Sequence, residues 1–397
     1  MTPQVAGSTW TTPSWASRVA EEGPSPRAQA WATTMAGHAG GGLVRAHATS
    51  RATVGPGPVV TRERREARER ETLRPGAALA SGAGRRAVDE EPDGERTCFE
   101  RDRDRIVHST AFRRLAGKTQ VVVYPSDHQR TRLTHALEVA QIATSIARGA
   151  GVNVALAEAI ALGHDCGHGP GGHASEDAFD AFLPEGFDHG PWGADVVLTG
   201  LNLCEETLDG IRNHSWSRPA PGTVEGEIVS WADRIAYCAH DLEDAIHAGI
   251  LDADDLPREI VAVCGRDRRE QLRTFVHAVV RSVDEHGEVG MASTEAAALA
   301  ALRAFNYERI YVRPESLAQS AAVVEVLQAL VELYVRQPHL LPEPVDAERD
   351  SEATLRAAVT YVAGMTDRFA FQTAVTELDW DDSRLPQGVD PRYVRRR

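Results

Sequence analysis

RTRLTHALEVAQIA (residues 130–143) and AIALGHDCGHGPGGHA (159–174) decide the reading of this chain. In the first, Leu133, Leu137, Ala140, Ile142, Ile146 and Ala147 recur at helical spacing, and the run closes at Gly149 and Gly151, which places His135 in the first turn of an amphipathic helix. In the second, Asn153 is the natural N-cap of a helix running through Val154, Leu156, Ala159, Ile160 and Leu162 to the pair His164–Asp165. Adjacent helical side chains diverge by ~100°, so this pair can converge on one point only where the helix finishes. Glycines at 163, 167, 169, 171 and 172 predict that ending. Downstream, WADRIAYCAHD (231–241) lies in a helical pattern from about Glu225 to His247. Asp233, Tyr237 and Asp241 form a polar stripe there, opposite Ile228, Trp231, Ile235 and Leu242, as expected of a helix bordering a wet cleft.

A divalent metal requires neutral imidazoles and anionic carboxylates at one point, and His135, His164, Asp165 and Asp233 can supply four such ligands. A lone His-Asp dipeptide is more often a helix-end histidine beside a capping aspartate. Here His168, His173 and His189 follow within a short glycine-rich stretch, in a chain with 15 histidines. Two imidazoles and two carboxylates leave positions on a metal for water and a phosphate oxygen, which suits phosphoester or phosphoanhydride hydrolysis. The donor set accepts manganese or magnesium first, with iron, nickel, cobalt and zinc also admitted. His173 and Glu176 are spaced i, i+3 at the start of HASEDAFDAFL and can touch.

Long apolar-periodic segments with one strand-like run, VVVY at 121–124, predict an all-α fold. Five cysteines without a CxxC pair argue against a disulfide framework or zinc ribbon, which points to the cytoplasm. No apolar run approaches the ~20 residues of a membrane span, and no secretory leader is evident. Residues 1–60, rich in Ala, Gly, Ser, Thr and Pro, are expected to be a disordered extension. Residues 61–94 read as a charged segment, RERREARERETLRPG, with a solvated face, then a linker; the helical core follows over 95–378, and 379–397 form a mobile tail. A net charge of −15 repels polyanions at long range, so any anionic substrate needs local cations. Arg101, Arg103, Arg105, Arg113, Arg114 and Lys118 are the nearest basic run, usually an exposed helix face and less often a phosphate or nucleic-acid contact.

RDRDRIVHSTAFRRLAGKTQV (101–121), DHQRTRLTHALEVAQIA (127–143), EAIALGHDCGHGPGGHASE (158–176), GFDHG (186–190), LNLCEETLDGIRNHS (201–215), EGEIVSWADRIAYCAHDLEDAIHAG (225–249) and AGMTDRFA (363–370) occur in an order that resembles the dGTPase-like deoxynucleoside triphosphate triphosphohydrolases of the HD domain superfamily. The resemblance spans roughly Thr61 to Leu378. It implies an all-α HD metallohydrolase fold with additional C-terminal helices and an HD core at about 127–250. It also implies attack at the α-phosphorus of a dNTP, releasing deoxynucleoside and tripolyphosphate. His173 and Glu176 match the family's catalytic histidine and acid, and His189 a histidine near the phosphates. Arg132 matches the phosphate-binding arginine; Arg234, Tyr237 and Asp241 match substrate-lining positions; Gln120 resembles the residue that reads the 3′-hydroxyl.

Two positions depart from the pattern: Gly171 and Gly190 stand where relatives often carry an aromatic residue and an asparagine. The pocket wall is therefore expected to be more open, which bears on base preference. The resemblance also implies a homo-oligomer, with the helical patterns at 293–312 and 314–337 as candidate packing surfaces, although ordinary core helices are the more usual reading of either one alone. Single-stranded nucleic acid stays open as a partner. Two other readings stand beside this one: an HD phosphohydrolase acting on nucleoside monophosphates or signalling nucleotides, and a nucleotide- or single-strand-binding regulator, which would need a damaged metal site.

Overall fold

A computed structural model describes residues 24–120, 129–342 and 351–386; the strand-like run 121–124 and the basic tail lie outside the described residues. The chain divides into two units, Met1–Val59 and Val60–Arg397. In the first, the Ser25 hydroxyl accepts from the Ala28 amide at the start of α1 (Pro26–Thr34), and Pro26 occupies the first turn, where no amide is needed. β1 (His38–Gly40) and β2 (Leu43–Arg45) then pair antiparallel across Gly41 and Gly42, both at positive φ. This regular structure differs from the expectation of none. Local capping and a glycine turn suffice to form it, while no residue from 24 to 60 is buried.

The second unit opens on α2 (Arg62–Thr72), whose charges are only partly solvated. Glu66 is buried and accepts from the Gly82 amide at 2.8 Å, and Glu69 accepts from Ala80 at 2.8 Å. The stretch expected to be a linker is thereby fastened down. Arg86, with its side chain 1% exposed, pairs at 2.6 Å with the fully buried Asp102. The other Asp102 oxygen accepts from the Cys204 amide and the Thr207 hydroxyl. Losing one partner of such a pair costs ~3–5 kcal/mol, because a charge is left buried and uncompensated.

Two apolar cores follow. Around the first lie α3 (Cys98–His108), α4 (Thr110–Arg114), α5 (Arg132–Ala150) and α6 (Val154–Gly163). α5 ends at Gly151 in the left-handed conformation, and Asn153 caps α6 by accepting from Ala155 and Leu156. The chain then crosses to α7 (Ala174–Asp180) and α8 (His189–Trp192); Phe179 and Trp192 on these helices and Phe187 between them belong to the second core. It returns through α9 (Glu205–Asn213), α10 (Val224–His247), α11 (Arg258–Cys264), α12 (Arg268–His286) and α13 (Ser293–Asn306) to complete the first core. A π turn over Tyr307–Tyr311 leads into α14 (Pro314–Arg336), which packs on α7, α15 (Glu352–Ala363) and α16 (Asp367–Leu378).

By length and composition α14 could cross a membrane, contrary to the expectation that no run would qualify. Its Val323, Val326, Leu327 and Leu330 are, however, fully buried in the second core. The two patterns offered as packing surfaces thus bury side chains within the chain itself. The basic run is occupied as well. Arg101, Arg103 and Arg105 meet Glu90, Asp104 and Glu158, Arg113 and Arg114 are exposed, and Lys118 is buried.

Candidate functional site

The end of α6, the start of α5 and the middle of α10 meet at one point. His164 sits just past α6, and its Nδ1 donates to the Ala161 carbonyl at 2.7 Å, so in the neutral ring the lone pair is on Nε2. Nε2 is buried without a hydrogen-bond partner among the described residues, 3.5 Å from Asp165 Oδ1 and 3.7 Å from Asp233 Oδ1. His135 Nε2 lies 3.0 Å from Asp233 Oδ1 and 4.0 Å from Asp165 Oδ2. A lone pair facing two carboxylates is repulsive unless a cation lies between them, so His135, His164, Asp165 and Asp233 fit a divalent metal. Burial pushes the Asp165 carboxyl up, but Arg132 and the neighbouring histidines outweigh it and hold the group well below the usual range. Asp233 is likewise held down, against burial, by His135 and His164. Both carboxylates are therefore anionic. Arg132, itself buried, donates to Asp165 Oδ2 at 2.9 Å and to the Gln120 carbonyl at 3.3 Å.

A second histidine cluster adjoins the first. Glu176 accepts from His173 Nδ1 at 3.1 Å and from His189 Nδ1 at 2.5 Å. Burial raises the Glu176 carboxyl, but these two hydrogen bonds prevail and keep it ionised. His189 Nε2 meets His214 Nε2 at 3.1 Å, and His214 Nδ1 donates to the Ile211 carbonyl, so His214 presents a lone pair. His189 thus has an acceptor at each nitrogen and is held as imidazolium. In agreement, its pKa is raised despite burial, while burial brings His214 down to about 3. His168 stacks on His189 with ring centres 3.7 Å apart and places Nε2 3.2 Å from Asp165. His173 is exposed, and its Nε2 is left open once Nδ1 is bound.

Both clusters border a cavity of about 500 Å³ lined also by Gln120, Arg234, Tyr237, Asp241, Arg303, Tyr311 and Arg313. None of the basic residues 101–118 lines it. The Arg234 guanidinium lies 3.4 Å from the centre of the half-exposed Trp216 ring. Arg303 donates to the Tyr237 hydroxyl at 2.9 Å, and the Tyr311 hydroxyl donates to Asp241 at 2.6 Å. Burial pushes Asp241 up to about 7. Gln120 Oε1, Arg234 Nε and Arg313 Nε are buried without partners among the described residues, as expected of groups awaiting a polar ligand.

The positions singled out in sequence thus come together, but the departures at 171 and 190 do not open the wall. A Cβ on Gly171 would lie 2.5 Å from Val323, and Gly171 has φ +72°; a Cβ on Gly190 would meet the Arg212 carbonyl oxygen at 2.9 Å. The Val323 side chain occupies the first space and the backbone of α9 the second. Sequence reading assigned nothing to His214, Arg303, Tyr311 or Arg313. The histidine of RNHS was the one available signal for His214, and nothing local marks the others.

A mainly helical fold that brings two helix ends and the middle of a third helix together around histidines and aspartates is the arrangement of an HD-domain phosphohydrolase. Residues 132–238 match the HD domain model, and 289–375 match the phosphohydrolase-associated domain. A deoxyguanosinetriphosphate triphosphohydrolase-like protein of Caldanaerobacter subterraneus is 41% identical over 316 residues, covering 78% of this chain and 93% of that protein. One from Clostridium perfringens strain 13 is 42% identical, covering 70% and 86%. The chain belongs to the deoxyguanosinetriphosphate triphosphohydrolase-like family.

Proposed function

We propose that the protein hydrolyses deoxynucleoside triphosphates to deoxynucleoside and tripolyphosphate, with a divalent metal, manganese or magnesium first, held by His135, His164, Asp165 and Asp233. The observation that carries this reading is the partnerless His164 Nε2 among carboxylates, beside a cavity whose other cations include Arg234, Arg303 and Arg313. A metal bound there would lower the pKa of water and offset charge developing on phosphorus. His189, cationic between Glu176 and His214, supplies a fixed positive charge for a phosphate oxygen. His173, oriented through Nδ1 by Glu176, has Nε2 free to deliver a proton to the leaving 5′ oxygen, a contribution of ~10²–10⁴-fold. Arg132 holds Asp165 and faces the phosphates. Arg234, braced on Trp216, and Tyr237 extend the anion site, while Gln120 and Asp241 are the groups for the sugar 3′-hydroxyl. Four local arginines at the cavity overcome the repulsion of a chain with net charge −15.

The test is incubation with each dNTP across divalent metals, with products resolved by ion exchange. Tripolyphosphate is expected. Orthophosphate or pyrophosphate would move the protein to a different phosphohydrolase reaction, and binding without turnover would make it a regulator.

A further inference from the structure

The motif AGMTDRFA (363–370) has no part in the chemistry above, yet it reaches the site from the second core. Asp367, the first residue of α16, is partly buried and faces three donors. Its Oδ2 accepts from the Thr119 amide at 2.9 Å and the Thr119 hydroxyl at 2.6 Å, and its Oδ1 accepts from the Gly171 amide at 2.8 Å. Lys118, itself buried, donates to the Ala363 carbonyl at 3.0 Å and to the His168 carbonyl. Packing closes the same seam, since a Cβ on Gly117 would lie 2.9 Å from Thr366 Cβ. The 118–120 segment is also held by Arg132, which donates to the Gln120 carbonyl while holding Asp165.

Two segments that the mechanism uses therefore hang on one carboxylate. One is Thr119–Gln120, whose side chain at 120 has an Oε1 at the cavity without a partner among the described residues. The other is the glycine-rich loop between His168 and His173, where Gly171 adopts a left-handed φ that leaves its amide free to turn towards Asp367. An acceptor with two oxygens suits three donors; an asparagine would turn an amide NH₂ towards at least one of them.

We propose that Asp367, acting through Thr119 and Gly171, is a positioning residue that sets Gln120 and the His168–His173 loop in register, so that sugar selectivity depends on a residue that never meets the substrate. This rests on the dNTP reading of the same site.

The experiment uses the full chain with Asp367→Asn, Thr119→Val and Thr119→Ser. It measures metal content, kcat and KM for a dNTP and its 3′-deoxy analogue, and amide exchange over 117–120 and 168–173. The expected result is metal content equal to wild type, kcat lowered at least ~10-fold in Asp367→Asn, and preference for the 3′-hydroxyl reduced several-fold in Asp367→Asn and Thr119→Val, with Thr119→Ser restoring it. Amide exchange at both segments should quicken in the first two variants. If Asp367→Asn does not fold, Thr119→Val against Thr119→Ser decides, since one lacks the hydroxyl and the other keeps it. Selectivity and kcat within twofold of wild type in folded variants, with exchange unchanged, would overturn the proposal. A wild-type protein that hydrolyses no dNTP would instead remove the underlying reading, and unchanged exchange would still separately remove the clamp.

Discussion

The two cores of the second unit bring different groups to the shared cavity. The first core carries His135, His164, Asp165 and Asp233 on the ends and flanks of α5, α6 and α10, each held by backbone that is itself buried. The second core carries His173 and Glu176 on the short helix α7, packed against α14. The four proposed metal ligands thus stand on one core, and the pair proposed to handle the proton stands on the other. Metal retention and turnover should therefore be separable by mutation, and that separation is open to attack.

The largest effects should come from the first core. His164→Ala or Asp233→Ala should abolish bound metal and bring turnover below detection, as elemental analysis and product assay would report; full metal content in both variants would disprove the ligand assignment. His173→Ala should keep its metal while kcat falls ~10²–10⁴-fold with nucleotide affinity little changed. Loss of metal in that variant would erase the division between the cores. Truncating a buried side chain in either core tests whether they fold as one. Leu156→Ala and Leu330→Ala should each cost ~2–5 kcal/mol and shift one common denaturant transition, whereas two separate transitions would divide the unit.

A smaller effect concerns Asp241 at the border. Its folded pKa, raised by burial to about 7, lies above its unfolded value, so the folded state retains a proton that the unfolded state loses. Stability therefore falls as pH rises from about 4 towards 7, by at most ~1.4 kcal/mol per unit, and levels off above the folded pKa. Asp241→Asn should flatten that slope; matching melting profiles for the two proteins between pH 5 and 8 would show that Asp241 does not titrate there. The smallest effect is expected from removing residues 1–60, which bury no side chain where they are described: Tm and kcat should match the full chain, and a large drop in Tm would reveal hidden packing.

Local signals carried the first core. The Asn153 cap, the apolar period of α5 and the glycines after Leu162 operate within a few residues, so α5, α6 and the convergence at His164–Asp165 could be read directly. Contacts across the chain could not. Arg86 gives no sign of Asp102, and a segment rich in Gly and Ala looks like a linker until that pair is seen. Gly171 looked like an opening because its filler, Val323, lies 152 positions away. Arg303 and Tyr311 sat in a helical pattern legible as core, and only the fold turns them towards the cavity.

The turn between α13 and α14 carries a consequence for chain length. Arg303 and Tyr311 are eight residues apart, which on an uninterrupted α-helix at ~100° per residue would set them about 80° out of line. The π turn over Tyr307–Tyr311 is wider and takes up much of that difference, so both reach the cavity, at Tyr237 and at Asp241. Deleting one residue there and continuing as a regular helix would leave the two seven apart, only about 20° out of line, so the tyrosine would keep its heading; straightening the turn with all eight steps in place would swing it away by about 80°. Turn and spacing act together in this segment, so an alignment gap of one residue among relatives would mark a π turn lost with the heading of the tyrosine kept.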